Sequence, residues 1–100
     1  MGQYIAEFGG KYLIWSTVVD SPITYLMTAA ELRDYIESEE GKQGLRVLPF
    51  RLERVRENGV SGFGVKKQDL LALNRAGAQE SHIATEEEMI ERWTAKQAAP

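Results

Sequence analysis

Cysteine is absent from the chain, and that removes disulfide bridges, cysteine-ligated zinc and a thiol nucleophile from consideration. The absence fits a reducing compartment, and a cytoplasmic location is expected. Histidine is nearly absent too, since His82 stands alone. One histidine cannot form a histidine cluster for a metal. Glu80, Glu86 and Glu87 lie close to it in sequence, but acidic residues at a helix start are explained by the helix dipole.

Long hydrophobic runs are missing as well. The longest apolar stretch falls far short of the roughly 20 residues of a spanning helix, and no basic segment feeds an apolar one at the start. Neither a membrane span nor a secretory signal is expected. The familiar catalytic and phosphate-binding strings are also lacking. Gly59, Gly62 and Gly64 match neither the P-loop nor the dinucleotide-binding spacing. Ser61, in Val60-Ser61-Gly62, lacks the first glycine of a nucleophile elbow. The expectation is therefore no enzyme, no cofactor and no metal.

What is present is ordinary for a globular chain: 100 residues, 43 % hydrophobic and 27 % charged. One domain over residues 1–95 is expected, with residues 96–100, an alanine-rich end, fraying. The net charge of −3 is unevenly spread. Residues 1–40 hold two basic and seven acidic residues, residues 41–75 eight basic and three acidic, and residues 76–100 two basic and five acidic. A basic middle between acidic ends can face an acidic partner, or it can be matched within the molecule.

The chain is organised around residues 12–40. Tyr12, Leu13, Ile14, Trp15, Ser16, Thr17, Val18 and Val19 make a strand candidate rich in aromatic and β-branched side chains. Before it, residues 4–8 read as a first strand, and Gly9-Gly10 as a two-residue hairpin turn, where both positions can take positive φ. Leu13, Trp15 and Thr17 fall on one face; Tyr12, Ile14, Ser16 and Val18 fall on the other. A central strand covered on both sides explains this pattern. Asp20-Ser21-Pro22 supplies turn chemistry, and residues 23–27 read as a third strand.

Thr28 and Glu31 form a capping box for a helix whose apolar stripe is Leu32, Tyr35 and Ile36, and which Gly41 ends. Residues 41–44 then read as a loop and residues 45–48 as a fourth strand. For residues 49–58 two readings compete. A continued strand would turn at Asn58-Gly59, but Val55 falls out of phase with Leu52. A short helix places Pro49 at its first position and Gly59 just past its end. The helix is preferred, and it is expected to carry Arg51, Arg54 and Arg56 outward. Residues 67–76 and a segment opened by Thr85 read as two further helices, the last with Met89, Ile90 and Trp93 as its buried stripe. The expected fold is α+β: a small antiparallel sheet of three to four strands packed against three to four short helices.

A chain of this kind is expected to work by its surface, as a non-enzymatic protein-binding, assembly or regulatory module. The expected partner is another protein, or a second copy in a homodimer through exposed edge strands or the Trp15 face. The candidate interface residues are Tyr12, Trp15, Arg51, Arg54, Arg56 and Phe63. The acidic helix over 28–40 and the basic segment 51–56 are the candidate contact surfaces. The alternative is nucleic-acid binding through the basic segment 42–75. Against it, the linker between the two helices there exceeds the usual three to four residues, and helix 67–76 is mostly leucine and alanine.

Overall fold

Gly9 and Gly10 take φ of 62° and 82°, and the hairpin follows from them. They join strand β1 (Gln3–Phe8) to strand β2 (Lys11–Ser16) in an antiparallel pair, with Tyr4 opposite Trp15, Ile5 opposite Ile14 and Ala6 opposite Leu13. The computed structural model describes residues 3–62 and 64–94; the expected fraying end, 96–100, lies outside them. Strand β3 (Ser21–Pro22) completes a sheet of order β1-β2-β3. The described elements are thus three strands and three α-helices, α1 (Ala29–Asn58), α2 (Lys67–Ala72) and α3 (Glu86–Trp93), with a 3₁₀ turn at Ala78–Glu80. The α+β class holds, and the fourth strand does not.

The residues expected in that fourth strand belong to α1. Gly41, at φ 69° and ψ −163°, breaks the helix as its composition suggests. The chain then re-enters helix at once, so residues 41–44 are not a loop and 45–48 are not a strand. Leu45, Leu48, Leu52 and Val55 are spaced three, four and three apart. That makes one helical stripe, and all four pack in the same cluster as Leu32 and Ile36. The phase break at Val55 that weakened the strand reading was the local trace of this stripe. Pro49 sits inside the helix, not at its start. It has no N–H for the preceding turn, which costs about 3 kcal/mol, while each buried aliphatic returns about 1.5–3 kcal/mol.

The third strand is shorter than its sequence suggests. Trp15 pairs with Pro22, and Tyr12 with Met27, so five steps along one chain cover three along the other. The surplus bulges outward. Thr24 Oγ1 accepts the Ile14 N–H at 3.0 Å, in place of a ladder carbonyl.

Each face of β2 has its own cover. Ile5 and Ile14 meet Leu32, Ile36, Leu48 and Val55 of α1. Ala6, Phe8, Leu13 and Trp15 meet Val60, Leu70, Ala76, Ile83 and Met89. The free side of β1 is also taken: Glu7 N–H donates to Gly59 O, Ser61 N–H to Ile5 O, and Ile5 N–H to Ser61 Oγ. Helix α2 ends at Ala72, short of the expected Ala76, because Asn74 turns inward. Its amide donates to the Leu70, Leu71 and Ile83 carbonyls, and its Oδ1 accepts from the Ala76 and Ile83 N–H groups. Among the described residues, no helix is long and apolar enough to cross a membrane.

Candidate functional site

The six residues singled out from the sequence do not converge. Trp15 is 2 % exposed and belongs to the core. Tyr12 is half-buried and, with Pro49, Leu52 and Val55, lines an open groove of about 570 Å³ between the hairpin and α1. Arg51 does not project outward. It binds Glu40 at 3.2 Å with its side chain only 15 % exposed. Arg54 Nε donates to the Ser61 carbonyl at 2.6 Å. Arg56 alone of the three stands in solvent, 3.8 Å from Glu53. Phe63 lies outside the described residues.

The charged group with the most defined geometry is Lys67. Its ammonium lies 3.0 Å from Glu7 and 2.8 Å from Glu86, and 5.2 Å from the centre of the Phe8 ring. Burial alone would raise the Glu7 carboxyl, but the Gly10 N–H and the Lys67 ammonium outweigh it and hold that carboxyl below its ordinary value. Burial would likewise lower Lys67, and its bonds to Glu86 and Glu7 outweigh that and raise it. The three groups satisfy one another, so this is a clamp joining the hairpin to the starts of α2 and α3. His82 lies elsewhere, with Nδ1 3.2 Å from the Asn74 carbonyl. Among the described residues, no three or more His, Asp or Glu side chains gather as metal ligands.

A different surface assembles from residues that sequence reasoning passed over. Val18 is 83 % exposed, Leu73 77 % and Tyr25 57 %, and Val19 and Ile23 are both nearly half exposed. Four contacts tie residues 20–26 to residues 75, 76 and 93. Arg75 N–H donates to the Asp20 carbonyl at 2.7 Å, which sets the loop of Leu73 beside the turn of Val18 and Val19. Trp93 Nε1 donates to the Ala76 carbonyl at 3.0 Å. Leu26 N–H donates to the Trp93 carbonyl, and the Tyr25 and Trp93 rings lie 5.8 Å apart. The contacts close a ring through Asp20, Arg75, Ala76, Trp93 and Tyr25. The bulge after β3 leaves Ile23 and Tyr25 exposed. Asp20 itself takes φ 54°, in the left-handed region that aspartate tolerates better than most residues.

The sequence placed Val18 and Val19 in the second strand, but β2 ends at Ser16 and residues 17–20 form a turn, so the two β-branched residues lie outside the pleat. The contribution of Leu73 had no sequence signal, since it depended on Asn74 ending α2. The other exposed apolar pair, Val47 and Phe50, stands one turn apart on α1, with no second element contributing. Compared with protein-family models, with curated proteins and with solved structures, the chain finds no match.

Proposed function

We propose that this chain is a non-enzymatic protein-binding module that works through the rim formed by Val18, Val19, Ile23, Tyr25 and Leu73. The observation that carries the reading is the exposure of five apolar side chains on two stretches of chain that the Arg75–Asp20 and Trp93–Ala76 bonds tie together. Scattered single apolar residues on a surface need no explanation, but a contiguous set rimmed by polar groups marks a contact site. Tyr25, and Trp93 and Arg75 tied to the same stretch, are residue types that dominate binding energy at protein interfaces. Masking a partner's surface, and so regulating it, is the role such a rim serves.

Nucleic-acid binding through segment 42–75 is the competing reading. Arg51, Arg54 and Lys67 of that segment are held by Glu40, the Ser61 carbonyl, and Glu7 with Glu86, which weakens it as a phosphate-binding stripe. The test is photo-crosslinking in its native cell from a reactive residue placed at Leu73, with Gln68 on α2 as the control position. Discrete protein adducts from position 73 and not from 68 are expected. Equal labelling from both sites overturns the proposal. So does tight duplex or single-strand binding at low salt, where counterion release favours it most.

A further inference from the structure

We infer that Gly41 is a one-residue hinge through which two copies of this chain exchange halves, the part before Gly41 in one copy packing against the part after it in the other. The rim plays no role in this exchange. Glu40 and Arg51 stand 11 residues apart, about 16 Å along a straight helix. Their side chains nevertheless meet at 3.2 Å, so the second arm of α1 folds back toward the first. Gly41 is the one non-helical position inside Ala29–Asn58, and no loop separates the arms. Its φ of 69° with ψ of −163° is a conformation open to glycine and closed to residues with a Cβ. A Cβ built there meets nothing within 4 Å, so the restriction lies in the backbone alone. Gly44 marks the same bend. A Cβ on it would lie 2.5 Å from Glu40 Cβ, whereas Cβ atoms four apart on a regular helix are separated by about 5–6 Å.

Rotating Gly41 alone into helical φ and ψ fuses the arms into one helix of 30 residues, about 45 Å long. It also pairs the helical donors and acceptors that a break leaves without partners. The two parts of the molecule then swing apart, and neither keeps a core. Ile14 and Ile36 before the hinge lose Leu48 and Val55 after it, and Phe8 and Trp15 lose Ile83 and Met89. Glu7 and Ile5 lose their backbone bonds to Gly59 and Ser61. The surface uncovered is shaped to the missing half of this same chain, and a second opened copy supplies that half. Every contact across the hinge is then remade between copies, which is why exchange of an element is a low-cost route to a dimer. The balance between the two forms rests on the hinge residue and on protein concentration.

Sedimentation of the chain refolded from denaturant at rising concentration tests this. A dimer fraction should appear and persist after dilution, because its return to monomer requires unfolding. Gly41→Ala, which disfavours the bend and favours the straight helix, should raise the dimer-to-monomer ratio at least about tenfold. Inserting Gly-Gly-Ser after Gly41 lengthens the hinge and should suppress the dimer. The chain has no cysteine, so Glu40→Cys with Arg51→Cys supplies the only two thiols. A short bismaleimide should link them within one chain in the monomer. In the dimer it should link two chains, since the same-chain pair is then about 16 Å apart. A Gly41→Ala chain that is folded by circular dichroism and stays monomeric overturns the inference. So does a dimer whose links all fall within single chains, or one that the insertion leaves undiminished. Should Gly41→Ala fail to fold, the thiol pair in the chain with Gly41 intact decides: no link between chains at any refolding concentration overturns the exchange.

Discussion

The two faces of the central strand are covered by layers built on different physics. On one face, α1 runs as two helical arms joined at Gly41, opened by a capping box at Thr28 and Glu31, whose apolar side chains join one cluster. On the other, α2 has six residues and α3 eight, joined by irregular chain. Segments that short do not hold as helices by propensity. They are held by particular polar atoms: the Asn74 amide, the Lys67 ammonium and the Trp93 indole N–H. A layer held by a periodic stripe can lose one member and keep its shape. A layer held by a few polar hubs cannot.

The sharpest way to break this contrast is at its hub. Asn74→Ala takes their Asn74 partner from the Ala76 N–H and from the N–H and carbonyl of Ile83, and should cost about 3–5 kcal/mol at roughly 1–3 kcal/mol per orphaned group. Native-state hydrogen exchange should then show amides of 67–93 opening well before those of 29–58. Simultaneous opening of both layers would refute the distinction. Ile36→Ala, on the stripe side, should cost about 2–4 kcal/mol by denaturant unfolding, spread over the whole transition.

Gly44→Ala probes the crossing of the two arms of α1. A Cβ there would lie 2.5 Å from Glu40 Cβ and 3.0 Å from Ile36 Cγ2. The arms must separate, and a loss of about 1–3 kcal/mol is expected in thermal unfolding despite the better helix propensity of alanine.

The smallest effect should come from the Lys67 clamp and should depend on pH. Lys67→Met removes about 1–2 kcal/mol near neutrality. Because Glu7 is held below its ordinary value when folded, its share of stability is present above that ordinary value and is lost as pH falls through the folded one. Because Lys67 is raised, its share is present below its ordinary value and is lost as pH rises through the folded one. Unfolding measured against pH should therefore show the variant approaching the original chain at both extremes. A constant offset across the range would argue that Lys67 acts only by packing its stem.

Local signals decided much of this molecule. Gly9-Gly10, Thr28 with Glu31, and Thr85 with Glu88 each place an element boundary through bonds within a few residues. The alternation along β2 announced that both of its faces are covered. The failures share one cause. Residues 45–48 read as strand because four residues cannot reveal whether their period is two or three and a half. The stripe becomes visible only when Leu52 and Val55 are counted with them. Residues 23–27 failed because a bulge, fixed by Thr24 reaching Ile14, is set by the partner strand. The link between residues 18–26 and 73–76 was hidden further, since it is made only by the Arg75 and Trp93 bonds.

The sequence by itself determined the boundaries marked by Gly9-Gly10, by Thr28 with Glu31 and by Thr85, and the two covered faces of β2, because caps, turns and alternation act over a few residues. The tertiary structure decided that α1 resumes past Gly41 and that the free side of β1 is closed. It also decided which apolar residues are left outside together. Those outcomes depend on contacts between distant segments, whose energies no short window of sequence contains.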